Sequence, residues 1–386
     1  MSAPHTPLAK APATNTDADA TTDTDTPAPR TPTPRGATLR VEFGPFGAAL
    51  RLRVAATVLV LAVLGFAGLV ASVSLGTYAL PVGEVLGSVL GTGDGAADLI
   101  IQQLRLPRAL TALLVGAAFG LAGAVYQAVT RNPLASPDLI GISAGAGVGA
   151  VGAILIGGVT AAGAGTFGAV PLGALAGALL TSAVIYLLAF RDGTITGYRF
   201  VLVGIAANGA LVALTRWMLA RADIDQASRA MVWLTGSLNG RGYEHVQWSG
   251  IALAVLLPLT VALARPYQLL QYDDDTARSL GVPLRHARIA LLVLATCLTA
   301  LATSAAGPIA FIALGAPQIA RRLAGTPGVP MVCSALTGAV VLVLADLAAR
   351  TVLAPTELPV GVLTGAVGAP YLLLLLARTN RAGKGG

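Results

Sequence analysis

Apolar runs of helical length recur along the chain from residue 54 onward, separated by short polar stretches that hold most of its charges. A helix crosses a bilayer core with roughly 17 to 20 consecutive apolar residues, and it satisfies its own backbone polar groups on the way, so these runs predict membrane-spanning helices. Ten spans follow: 54–75, 109–129, 139–160, 169–190, 199–220, 247–264, 288–306, 308–322, 331–349 and 358–377. The eighth is short and follows closely on the seventh. Residues 1–50 differ in kind: rich in Thr, Pro, Ala and Asp, they contain no apolar run and are expected to form a disordered tail, not a signal peptide. The expected organisation is that tail, an all-α polytopic membrane domain over 51–380, and a short tail over 381–386.

Composition agrees with the pattern. Of 386 residues 55% are hydrophobic and 11% charged, against about 25% charged in soluble proteins. Basic residues stay preferentially on the cytoplasmic side of a membrane. With the N-terminus inside, 18 of the 25 Lys and Arg fall on the inner side of the ten spans and 7 on the outer, so both termini are expected in the cytoplasm. The net charge of +7 is then mostly a topological bias and implies no nucleic-acid partner. Cys297 and Cys333 read as small buried residues, and the three histidines are too scattered to assemble a metal site.

Neither common energy source is visible. No G-x-x-x-x-G-K-[ST] loop is present to cradle ATP phosphates. An ion-coupled carrier usually holds a carboxylate within the membrane, and no predicted span carries one at mid-depth. Asp346 lies near the end of span nine, where it reads as an i, i+4 partner of Arg350. The chain therefore looks like a pore-forming subunit energised by a partner.

Other features have two readings each. Gly141, Gly145 and Gly149 recur every fourth residue at the start of span three and fit either close helix packing or a pathway lining, and Gly116 and Gly120 repeat the spacing in span two. Gln127 and Asn208 are amides inside spans, which must face the bundle interior or a watery cavity. Pro133 and Pro137 make residues 131–141 a stiff turn, expected on the cytoplasmic side.

Between spans six and seven stands Y-D-D-D-T-A-R-S-L-G, residues 272–281, with three consecutive carboxylates. Acidic residues favour the N-terminus of a helix, here a short one over T-A-R-S-L, while Gly281 and Pro283 favour its end. Ala277 and Leu280 lie three apart on such a helix and fit a groove on a partner.

Four segments together resemble one family: residues 105–150, A-R-S-L-G-V at 277–282, G-P-I-A-F-I-A-L-G-A-P-Q-I-A-R-R-L-A-G at 307–325, and residues 346–370. The resemblance is to the FecCD-type permeases of type II ABC importers, which carry ferric siderophores, haem or vitamin B12. It implies a ten-helix subunit in the cell membrane that dimerises, with a second copy or a paralogous permease, around a central pathway lined by spans three, five, eight and ten. It implies two cytoplasmic ATPase subunits that use the ATP, an external siderophore-binding protein, and no cofactor or catalytic residue in this chain. The ATPase-coupling loop is expected over about 272–286, with Asp274, Asp275, Thr276, Ala277, Arg278, Ser279, Leu280 and Gly281 at its centre. Arg105, Arg108 and Arg350 match the arginines that dock the binding protein. Gln318 stands where many members have histidine, and with its surroundings it resembles the ferric-enterobactin branch more than the vitamin B12 branch. A vitamin B12 or haem importer and, more distantly, an ion-coupled secondary transporter are the alternative readings.

Overall fold

Each expected span contains a helix, in a computed structural model that describes residues 38–43, 46–76, 80–93, 95–157, 168–191, 194–195 and 197–382. In chain order the helices are α1 (Leu52–Ser74), α2 (Val82–Val89), α3 (Gly95–Leu99), α4 (Leu106–Thr130), α5 (Ile142–Gly157), α6 (Ala169–Ala189), α7 (Gly197–Arg221) and α8 (Ile224–Leu234). There follow α9 (Tyr243–Ala262), α10 (Ala264–Leu269), α11 (Asp274–Ser279), α12 (Leu284–Ala306), α13 (Ile312–Ala324), α14 (Met331–Thr351) and α15 (Val360–Ala382). A π-helical turn, Ile100–Arg105, leads into α4. Phe190–Arg191 and Thr194–Ile195 make a minimal hairpin between α6 and α7.

The tail expectation needs one correction. Thr38–Phe43 and Phe46–Arg51 pair as an antiparallel hairpin, from Thr38 opposite Arg51 to Phe43 opposite Phe46. The first of these strands, T-L-R-V-E-F, alternates apolar and polar residues, a pattern that suits a strand, and Gly-Pro separates the two strands. The rest of the expected tail lies outside the described residues.

Small residues set how tightly the bundle packs. α4 runs through the middle against α12, α13 and α14, and is buried along most of its length. Gly116 and Gly120 abut the backbone of Gly338 and Ser334 on α14, and Gly123 abuts Ala313 on α13, so closely that a Cβ would overlap main-chain atoms. Gly145 and Gly149 meet Gly177 and Gly173 of α6 in the same way. Both therefore serve helix packing, the closeness that small residues permit in a membrane. Gly141 does not belong to their stripe: it precedes α5, with φ +91°, and abuts the backbone of Asn208.

That contact extends the reading of residues 131–141 as a stiff turn. Asn208 lies 11 residues beyond Gly197, the start of α7, which is about 17 Å along the helix. The segment after α4 thus folds back into the bundle, and α5 begins at depth. α13 is interrupted likewise: its 13 residues follow Phe311, whose φ is +69°, and span about 20 Å of a hydrocarbon core about 30 Å thick. The expected eighth span is a half-helix, because Gly307-Pro308 ends the helical run of α12 and opens five residues of irregular backbone, 307–311.

Candidate functional site

Three places along the bundle gather polar groups. The first is α11. Asp273 caps it: its carboxylate accepts from the Thr276 amide at 2.8 Å and from the Thr276 hydroxyl at 2.7 Å. These two bonds hold the Asp273 carboxyl below the usual carboxylate range. The helix ends in a Schellman arrangement, with Val282 N donating to Ala277 O, Gly281 N donating to Arg278 O, and Gly281 at φ +80°.

The three aspartates have different tasks. Asp274 accepts from Arg131 Nη2 and from Arg288 Nη2, the latter at 2.6 Å. Partial burial pushes its carboxyl up, but the two guanidiniums outweigh this and hold it below the usual range. Asp275 is exposed and pairs with Arg278 at 3.2 Å. Ala277 is fully buried against the chain's own core, so it anchors α11 and is not offered to a partner, contrary to the expectation that it enters a groove with Leu280. Leu280 is 53% exposed, and Thr276, Arg278, Ser279 and Gly281 are exposed beside it.

The second place is at the opposite ends of the spans, where Arg105, Arg108, Arg241, Arg350 and Glu357 line a cavity of about 460 Å³. Arg108 donates to Asp346 at 2.9 Å and to Glu357 at 2.8 Å. Arg350 lies 3.4 Å from Asp346, as the i, i+4 spacing predicted, and also donates to Ser72. Arg108 and Arg350, expected to dock a binding protein, are both ion-paired within the chain, because the span ends bring Asp346 and Glu357 against them. Arg105 donates to the carbonyls of Val73 and Ser74. Sequence reasoning passed over Arg241. It donates to Ser237 O at 3.3 Å and lies 3.1 Å from His245 Nε2, it has no carboxylate partner among the described residues, and burial lowers its pKa to about 10. It remains a cation at neutral pH.

The third place lies between them, where the two interrupted helices begin. Asp138 accepts from Ser143 Oγ at 2.5 Å and from the backbone N–H of Phe311, joining the start of α5 to the start of α13. Gln318 of α13 donates to Gln127 of α4 at 2.5 Å, and Gln127 donates to Leu314 O at 3.0 Å. Gln127 thus faces the interior as expected, satisfied by protein groups. Asn208 is half-buried on α7. Asp346, near the end of the expected ninth span, is wholly buried in α14, and Asp138 sits one residue before the expected start of span three.

Residues 53–378 match the profile of the FecCD transport family. The chain belongs to the FecCD transport family. It is 38% identical over 306 residues to the ferric enterobactin transport system permease protein FepG of Escherichia coli (strain K12), covering 79% of this chain and 91% of that protein. The Fe(3+)-citrate import system permease protein YfmE of Bacillus subtilis (strain 168) is 38% identical over 83% of this chain and 94% of its own length. A solved structure described as an inward-facing metal-chelate type ABC transporter superposes with a TM-score of 0.74 at 27% identity, over 84% of this chain and 99% of that one. FecCD membership agrees with the all-helical, membrane-spanning architecture. It also makes the expected transport role the frame in which α11 and the arginine cavity are understood.

Proposed function

We propose that this FecCD protein is the membrane-spanning permease subunit of an ABC importer that moves a ferric siderophore into the cytoplasm. The observation that carries the reading is α11: a capped and anchored helix with one exposed leucine, in a family member that shares 38% identity with permeases named for ferric enterobactin and Fe(3+)-citrate. A rigid short helix with an apolar residue outward is suited to fit a groove on a separate ATPase subunit. Hydrolysis of ATP there moves the helix, and the chain itself needs no catalytic group.

The arginine cavity then faces the extracytoplasmic side, where it meets the siderophore-binding protein. Arg108 and Arg350 are braced by acids, so their part is to shape the cavity; Arg241 supplies the charge not balanced by a carboxylate. Charge pairing of this kind orients encounter more than it adds affinity. A second copy or a paralogous permease completes the pathway, and both termini lie in the cytoplasm.

The test is Leu280→Asp in the assembled transporter. The variant reaches the membrane, fails to retain the ATPase subunits, and takes up no ⁵⁵Fe-loaded siderophore. Wild-type uptake by Leu280→Asp would overturn the assignment of α11, and uptake of labelled vitamin B12 in place of iron chelates would overturn the substrate class.

A further inference from the structure

We infer that the Asp274–Arg131 ion pair carries movement of α11 to the segment 131–141, and through it to the two helices that begin at depth, α5 and α13. This rests on the reading that α11 meets the ATPase, and it adds which residue passes the movement on.

Arg131 is placed for such a task. It ends α4 in the left-handed conformation, φ +53° and ψ +30°, and so sets the direction in which the chain leaves the helix. Its guanidinium reaches across to the other side of the turn: Nε donates to Leu270 O at 3.0 Å, just before α11, and Nη2 donates to Asp274 in its first turn. One side chain thus grips both the approach to α11 and the helix itself, from a residue 143 positions away in sequence.

Downstream of Arg131 the chain is stiff and tied at depth. Pro133 and Pro137 restrict the backbone, and Pro133 O accepts from Gln318 of α13 at 3.4 Å. Asp138 then binds Ser143 on α5 and the N–H of Phe311 ahead of α13. Gly141 rests on the backbone of Asn208 in α7, and Phe311 lies against Gly368 of α15. A displacement of Arg131 therefore cannot be absorbed locally without disturbing contacts to α5, α7, α13 and α15. Arg288, the other partner of Asp274, stands at the start of α12, the helix that directly follows α11, and so holds α11 to its own neighbour. The two arginines share one carboxylate: Arg131 leads directly into the segment that ends at α5 and α13, whereas Arg288 leads into α12.

The experiment uses the complete transporter in proteoliposomes, with its ATPase subunits and iron-loaded binding protein, and measures ⁵⁵Fe taken up per ATP hydrolysed. Arg131→Gln is expected to lower that ratio at least tenfold while ATP hydrolysis stays within twofold of wild type. Arg131→Lys, which keeps the charge, restores much of the ratio, and Arg288→Gln leaves it near wild type. Asp274→Asn, which keeps the size and one acceptor oxygen, is the second variant; it lowers the ratio too, and the double variant Arg131→Gln/Asp274→Asn is no worse than the poorer single, as a shared interaction requires. A wild-type ratio in Arg131→Gln, a parallel loss of uptake and hydrolysis, or an additive double variant would overturn the inference. Leu280→Asp separates the two claims: if it retains the ATPase subunits and transports normally, the reading of α11 fails first, whatever Arg131 does.

Discussion

Arg108 Nη2 donates to Asp346 Oδ1 at 2.9 Å, joining the first turn of α4 to the last third of α14 across 238 residues of sequence. Asp346 is wholly buried and also faces Arg350, and the side chain of Arg108 is 10% exposed. Removing one member of a buried ion pair leaves the other charge uncompensated, which typically costs about 3 to 5 kcal/mol. Asp346→Ala is therefore expected to lower the thermal unfolding midpoint of the detergent-solubilised protein by many degrees, with Asp346→Asn in between. An unchanged midpoint for Asp346→Ala would show that Arg108 and Arg350 are stabilised by other groups.

Gly123 and Gly149 each abut a neighbouring main chain, Ala313 on α13 and Gly173 on α6. Added side chains there have no flexible atom to displace, so Gly123→Val and Gly149→Val are expected to reduce folded protein severely. Gly209, with open space around its Cβ position, is the control, and Gly209→Ala should express as wild type. Size-exclusion profiles after membrane extraction distinguish these outcomes.

Gly281 has open space around it, yet its φ of +80° suits only a residue without a Cβ. Gly281→Ala is expected to destabilise α11 by about 1 kcal/mol, through strain and not through a clash. Faster amide hydrogen exchange over 274–282, with little change elsewhere, is the signature to measure.

The acid dependence of α11 has a definite sign. The folded pKa of Asp274 lies below its ordinary 3.8, so its contribution to stability is complete above that value and is lost as pH falls through the lowered pKa. Through this group the unfolding midpoint should not change between pH 8 and about pH 5, and should fall only below about pH 4. Asp274→Asn removes that part of the acid sensitivity. Equal acid profiles for the two proteins would mean that Arg131 and Arg288 do not stabilise the charged carboxylate.

On the proposed function, Arg241→Gln at the arginine cavity should weaken association with a siderophore-binding protein most at low salt, where screening is least. A salt series in surface plasmon resonance gives the comparison. If the variant and wild type follow the same curve, the charge of Arg241 takes no part in docking.

Along the chain, hydrophobic run length placed a helix in each of the ten expected spans, with α13 filling only part of the eighth, since a bilayer demands about the same apolar length of each and satisfies no backbone group itself. Local chemistry likewise placed α11, its aspartate cap and its glycine end, because capping acts within one turn of the helix. What lay beyond the sequence were contacts between segments far apart in it. Whether Ala277 faces a partner or the core depends on which helices lie behind α11. Whether Arg108 is free depends on Asp346 and Glu357 arriving from elsewhere, and the entry of residues 131–141 into the bundle depends on Phe311 and Asn208 being there to receive it. Apolar periodicity carries no record of such pairings: lipid and protein interior look alike to a leucine, so only the packed structure decides which polar groups meet.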